Sequence, residues 1–131
     1  MSLLEIKGLK THFKTDDGWL HAVDGVDLAI DAGETVGVVG ESGCGKTTLA
    51  RAMLSLVEPA AGEMALDGEG VNGKRNMDEL RRRLQMIFQD PYQTLNPRQR
   101  VRTIVAEPLR VQGVAKGEHA ERVRSALEDV G

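Results

Sequence analysis

Two stretches near the start of the chain, 3–13 and 20–30, alternate apolar and polar residues loosely with period 2, which predicts two strands. Thr15-Asp16-Asp17-Gly18 between them predicts a turn, and Asp31-Ala32-Gly33-Glu34 predicts another. Thr35-Val36-Gly37-Val38-Val39 is a short apolar, β-branched run, which predicts a buried parallel strand. Gly40 to Gly45 reads as a loop. From Lys46 to Val57 the period changes to that of a helix, with an apolar stripe at Leu49, Ala52, Met53 and Leu56 and stop signals at Pro59 and Gly62. Glu63 to Leu66 predicts a short strand before Asp67-Gly68, and residues 69–76 a polar loop. Met77 to Leu84 predicts a helix capped by Asn76, with Glu79 three residues on. Leu84-Gln85-Met86-Ile87-Phe88 predicts a second buried strand, broken by Gln89-Asp90-Pro91. Asn96-Pro97 marks a turn, and Val101–Val111 and Lys116–Val130 predict helices. There is no internal repeat and no low-complexity segment.

Strand, glycine loop, helix, strand and then helices predict an α/β fold. The two N-terminal strands precede any helix, so an antiparallel pair is expected to flank the parallel part. Composition adds limits. Apolar residues make up 40% and charged residues 28%, as in a soluble globular chain. With four aromatic residues in all, the core must rest on Val, Leu, Ile, Met and Ala. A net charge of −3 supplies no global basic field, so nucleic acid is not an expected partner. The single Cys44 excludes an internal disulfide and fits a reducing compartment. No apolar run approaches the roughly 20 residues of a membrane-spanning helix. Met1 to Lys7 lacks the basic-then-apolar layout of a signal peptide, so any role at a membrane implies docking on a spanning partner.

Gly40-Glu41-Ser42-Gly43-Cys44-Gly45-Lys46-Thr47 matches the pattern G-x-x-x-x-G-K-[ST] in full. Each residue type has a reason. Glycines accept positive φ and let backbone N–H groups converge on phosphate oxygens. The helix predicted from Lys46 aims its positive end at the same oxygens. Lys46 is placed to reach the β- and γ-phosphates, and the Thr47 hydroxyl to bind Mg²⁺. Chance would give the pattern at roughly one position in 30,000 with ordinary residue usage. A strand-like run before it and a helix-like run after it are the context the motif requires. Cys44 within the loop could be a redox thiol. The plainer reading is a small side chain tolerated at a free position of the motif.

The stretch from Leu28 through Gly40 to Leu49, including Thr48, resembles the start of an ABC-type ATPase domain. Leu84 to Pro91 is similar to the Q-loop of that family, a glutamine at the end of a strand. Pro59-Ala60-Ala61-Gly62-Glu63 and Asp67-Gly68 resemble the family's link between the P-loop helix and the next strand. The run Phe88-Gln89-Asp90-Pro91-Tyr92-Gln93-Thr94-Leu95-Asn96-Pro97-Arg98 is similar to that of ATPase subunits of dipeptide and oligopeptide importers. The resemblance implies ATP and Mg²⁺ as cofactors. It implies nucleotide contacts from Gly40, Ser42, Gly43, Cys44, Gly45, Lys46, Thr47 and Thr48, with Lys46 and Gln89 serving catalysis and Thr47 and Gln89 serving the metal. It also implies an aromatic stacked on the adenine, for which Phe13 occupies the matching place and Trp19 is the competitor.

The implied organisation is an antiparallel β region over 1–34, a P-loop core to the Q-loop over 35–90, and the start of a helical subdomain over 91–131. The family's later parts do not occur before Gly131: the L-S-G-G-Q-like signature, the strand ending in Asp-Glu, and the switch histidine. His12, His21 and His119 lie in the wrong places and read as exposed or structural. The chain is therefore expected to be the N-terminal part of a longer domain, without turnover on its own. The implied whole is a peripheral ATPase at the cytoplasmic face of the plasma membrane, energising import of peptides or similar solutes. Its implied partners are transmembrane permease subunits and a second ATP-binding subunit, identical or not. The alternatives are an ABC-type ATPase acting outside transport, or another P-loop NTPase such as a kinase or GTPase. Arg81-Arg82-Arg83, with Asp78 and Glu79 nearby, reads as a solvated helix face rather than a phosphate patch.

Overall fold

The computed structural model describes residues 1–71 and 77–131. The chain forms two compact units, Met1–Met86 and Ile87–Gly131. In the first, strands β1 (Ser2–Thr15), β2 (Gly18–Asp31), β3 (Ala61–Leu66) and β4 (Glu69–Gly70) form one sheet in the order β2-β1-β3-β4. Every pairing in it is antiparallel. Helices α1 (Lys46–Met53) and α2 (Met77–Arg83) complete this unit.

The loose alternation in β1 has a physical cause. Leu4 and Ile6 are buried, and so are Leu9 and Thr11, three and five residues beyond Ile6. A regular strand would turn Leu9 to the other face from Ile6. The register with β2 shifts between Ile6 and Leu9, and Gly8 there has φ 58. The bulge absorbs one residue and returns Leu9 and Thr11 to the core face. These side chains pack with Val23, Leu49 and Ala52 of α1, Met64, Leu66, Val71 and Leu80 of α2. The β1–β2 hairpin closes over Asp16-Asp17, where the Thr15 hydroxyl donates to the Gly18 carbonyl at 3.0 Å. Asp67 and Gly68, both with positive φ (51 and 78), make a tight turn into β4, so Glu69 and Gly70 pair with β3 where a polar loop was expected from residue 69.

Two expected strands do not form. Thr35–Val39 and Leu84–Phe88 carry no ladder, and the parallel core sheet expected from them is absent among the described residues. A strand exists only with a neighbour to accept and donate its backbone bonds, and no described segment pairs with either run. Their apolar side chains are correspondingly exposed, Val39 at 92% and Ile87 at 96%. Helix α1 also ends at Met53 rather than Val57. Ser55 adopts φ 51, Leu56 N–H donates to the Arg51 carbonyl at 2.9 Å and Ser55 N–H to Ala52 at 2.9 Å, which closes the helix in a Schellman turn. The expected cap Asn76 lies outside the described residues.

The second unit contains α3 (Pro91–Thr94), α4 (Val101–Val111) and α5 (Lys116–Asp129). The last two match the predicted helices at their starts, and α5 packs through the buried Val123. His119 Nε2 lies 2.8 Å from the Val114 carbonyl and ties α5 to the turn before it, a structural role as expected. No helix among the described residues is long and apolar enough to cross a membrane.

Candidate functional site

The glycine loop runs from the extended segment after β2 into the first turn of α1. Gly43 and Gly45 take φ 79 and 100, values that residues with a Cβ rarely adopt. Gly45 is the residue before the helix, and its carbonyl accepts the first intrahelical bond from Leu49 N–H at 2.8 Å. The N–H groups of the residues ahead of Leu49 have no partner within the helix, so the loop ends in a cluster of donors aimed along the helix axis. Cys44 N–H donates to the Glu41 carbonyl at 3.2 Å and tightens the bend.

Lys46 crosses the loop from its end to its beginning. Its ammonium donates to the carbonyls of Gly40 and Glu41, each at 2.7 Å, and lies 3.6 Å from the Cys44 thiol. The cation is thus held inside the ring of residues 40–46 with no carboxylate partner among the described residues. An anion entering the loop would meet it directly, and exchanging two neutral acceptors for a charged one is favourable. Close packing fixes the glycines. A Cβ on Gly40 would stand 2.5 Å from Cys44 Sγ, and one on Gly45 would stand 2.2 Å from the Ala22 carbonyl oxygen. The loop is therefore braced from behind by the backbone of β2 at Ala22. Sequence reasoning missed this contact, because a backbone carbonyl leaves no residue signal.

The sequence-predicted residues Gly40, Ser42, Gly43, Cys44, Gly45, Lys46, Thr47 and Thr48 thus lie together around one loop and helix start. Thr47 and Ser42 are exposed, and Lys46 and Thr48 half-buried. Phe13 sits on β1 opposite Leu20, and is 38% exposed; Trp19 lies opposite Lys14 and is 65% exposed. Gln89 is exposed in the second unit, at the bend before α3. That helix was not predicted, although its signals are in the sequence: Asp90 Oδ1 accepts from Tyr92 and Gln93 N–H at 3.1 and 3.4 Å, and Pro91 takes the first helical position. Arg81, Arg82 and Arg83 are exposed, and Arg83 pairs with Asp67. On the β1–β2 hairpin, the hydrogen bond and charge of Lys10, 3.0 Å away, hold the Asp24 carboxyl below its usual range.

The family described as ABC transporter matches residues 23–131. The chain is 48% identical over 134 residues to the oligopeptide transport ATP-binding protein OppF of Bacillus subtilis (strain 168), covering 98% of this chain and 44% of that protein. It is 47% identical to the protein of the same name from Escherichia coli (strain K12), covering 98% and 42%. Among solved structures, the dimeric post-hydrolysis state of the ATP-binding cassette MJ0796 bound to ADP and Pi superposes with a TM-score of 0.75 at 27% identity, covering 95% of this chain and 56% of that one. A second dimeric structure of MJ0796, described as a bacterial ABC transporter cassette, gives 0.75 at 31% identity, with coverage of 95% and 54%. The chain spans less than half the length of these curated relatives.

Proposed function

This chain belongs to the ABC transporter family, and on that premise we propose that it is the nucleotide-holding part of an ATP-binding subunit that drives import of peptides or similar solutes. The observation that carries the reading is the loop itself: two positive-φ glycines, a helix start, and Lys46 held across the ring on two carbonyls at 2.7 Å. These residues fit a Mg²⁺-bound nucleoside triphosphate, whose bound phosphates supply the phosphoryl group and whose metal offsets their charge. With such a group bound, Lys46 would exchange its carbonyl acceptors for phosphate oxygens, the N–H groups of the loop and first turn would hold the same oxygens, and the Thr47 hydroxyl would serve the metal. Phe13 offers a ring for the base, and Gln89 the polar group that positions water or metal. The solved relative bound to ADP and Pi supports a nucleotide as occupant.

In this reading residues 1–34 form the antiparallel region, 35–90 the P-loop core, and 91–131 the start of a helical subdomain. The whole subunit hydrolyses ATP while peripheral to a membrane, with permease subunits and a second ATP-binding subunit as partners. Names of relatives at 47–48% identity support the peptide class. The test is uptake of a labelled oligopeptide by cells lacking the gene. The full-length protein should restore uptake and its Lys46→Ala variant should not. Equal rescue by both, or no effect on peptide uptake, would remove the proposal.

A further inference from the structure

The β1–β2 hairpin brings together three side chains that the nucleotide reading does not use. His12 and His21 face each other across the strands, their ring centroids 3.9 Å apart. With Asp24 they each offer one ligating atom, and the three atoms lie within 4.8 Å of one another. His12 Nε2 is buried and has no hydrogen-bond partner among the described residues.

A further bulge, the last along β1, creates this grouping. Thr11 pairs with Val23 but His12 pairs with His21, so Ala22 is an extra residue on β2. In a regular strand His21 and Asp24, three apart, would point to opposite faces. The extra residue reverses the alternation and puts both on the face of His12. That same Ala22 turns its carbonyl toward Gly45, so the cluster is built on the segment that braces the phosphate loop.

We propose that His12, His21 and Asp24 form a site for a divalent transition metal of the zinc class, with two imidazole nitrogens and one carboxylate oxygen as protein ligands and water in the remaining position. The donor set is the one such ions take when a coordination position stays open. Ligand atoms around a tetrahedral zinc with bonds near 2.0–2.1 Å stand about 3.4 Å apart, so the cluster closes by a modest contraction. His21 and Asp24 are exposed. His12 brings to the cluster a ring whose Nε2 is buried without a hydrogen-bond partner among the described residues. One group opposes it: the Lys10 ammonium sits 3.0 Å from Asp24 and must release it. An exposed ion pair of this kind is held weakly, and its loss is recovered in the bond to the metal.

The proposal is independent of nucleotide binding and is tested on the full-length protein with metal alone. Titration with Co²⁺ should give visible d–d absorption saturating at one ion per chain, displaced by Zn²⁺. His12→Gln, His21→Gln and Asp24→Asn should each weaken Co²⁺ binding by at least about tenfold, since each removes one of few ligands. Lys10→Gln should strengthen it, because Asp24 is released and a repelling charge is gone. That gain separates ligation from a merely structural role. His21 and Asp24 are exposed, so their variants keep the fold even if His12→Gln does not, and circular dichroism checks this. Cys44→Ser and His119→Gln should leave binding unchanged. No absorption at millimolar Co²⁺, unchanged binding in His21→Gln and Asp24→Asn, or loss in Cys44→Ser would overturn the assignment.

Discussion

Gly45 stands at a point where backbone meets backbone. Its φ of 100 is hostile to side chains, and a Cβ there would lie 2.2 Å from the Ala22 carbonyl oxygen, which has no flexible end to swing aside. Gly45→Ala should therefore destabilise the protein by about 2 kcal/mol or more, combining left-handed strain with displacement of β2. A fall in the thermal midpoint together with weaker nucleotide binding is expected. A midpoint equal to wild type would show that the brace is soft. Thr47 tests a different quantity. In the proposed reading its hydroxyl acts only through the metal, so Thr47→Ala should weaken nucleotide binding more with Mg²⁺ than with a chelator present. Equal losses in the two titrations would count against that role.

At the scale of elements, the end of α1 shows how a residue can close a helix against its own preference. Ser55 takes the left-handed position, φ 51, that glycine usually fills. Ser55→Gly should raise stability by about 0.5–1 kcal/mol, the strain relieved less the added chain freedom. Chemical denaturation midpoints would show it, and a drop would mean that Ser55 makes a compensating contact. The same residue explains a misread boundary. The stop signals visible in the sequence were Pro59 and Gly62, while the turn that ends the helix at Met53 is built from Ser55, whose type announces nothing. The β1–β2 hairpin, β3, α4 and α5 were legible because each carries its period or its turn residues locally. Thr35–Val39 and Leu84–Phe88 were legible as strand-like sequence but have no ladder, since pairing depends on neighbours and not on propensity. The glycine loop was readable as a loop running into a helix start, because its glycines supply the positive φ that the bend uses. Its brace at Ala22 was not, because a backbone carbonyl leaves no residue signal, and the clustering of His21 with Asp24 was not, because a bulge shifts the alternation there.

Across residues 1–131, the proposed phosphate-holding groups are not joined by a carboxylate in a motif suited to take the proton of an attacking water. Asp90 is engaged as a helix cap, accepting two backbone N–H groups. Residues 1–131 alone should thus release phosphate from ATP no faster than their Lys46→Ala variant, since the missing base and closure are worth roughly 10³-fold or more in rate. Turnover that vanishes in the variant would reveal a base within this span. The central claim is narrower: Lys46, stored on the Gly40 and Glu41 carbonyls, is the cation that meets the phosphates. The direct measurement is a calorimetric titration of full-length protein with MgATP beside Lys46→Ala. Removing a charge-assisted contact should weaken binding by about ten- to a hundredfold with the fold intact by circular dichroism. Equal affinity for the two proteins would contradict the account.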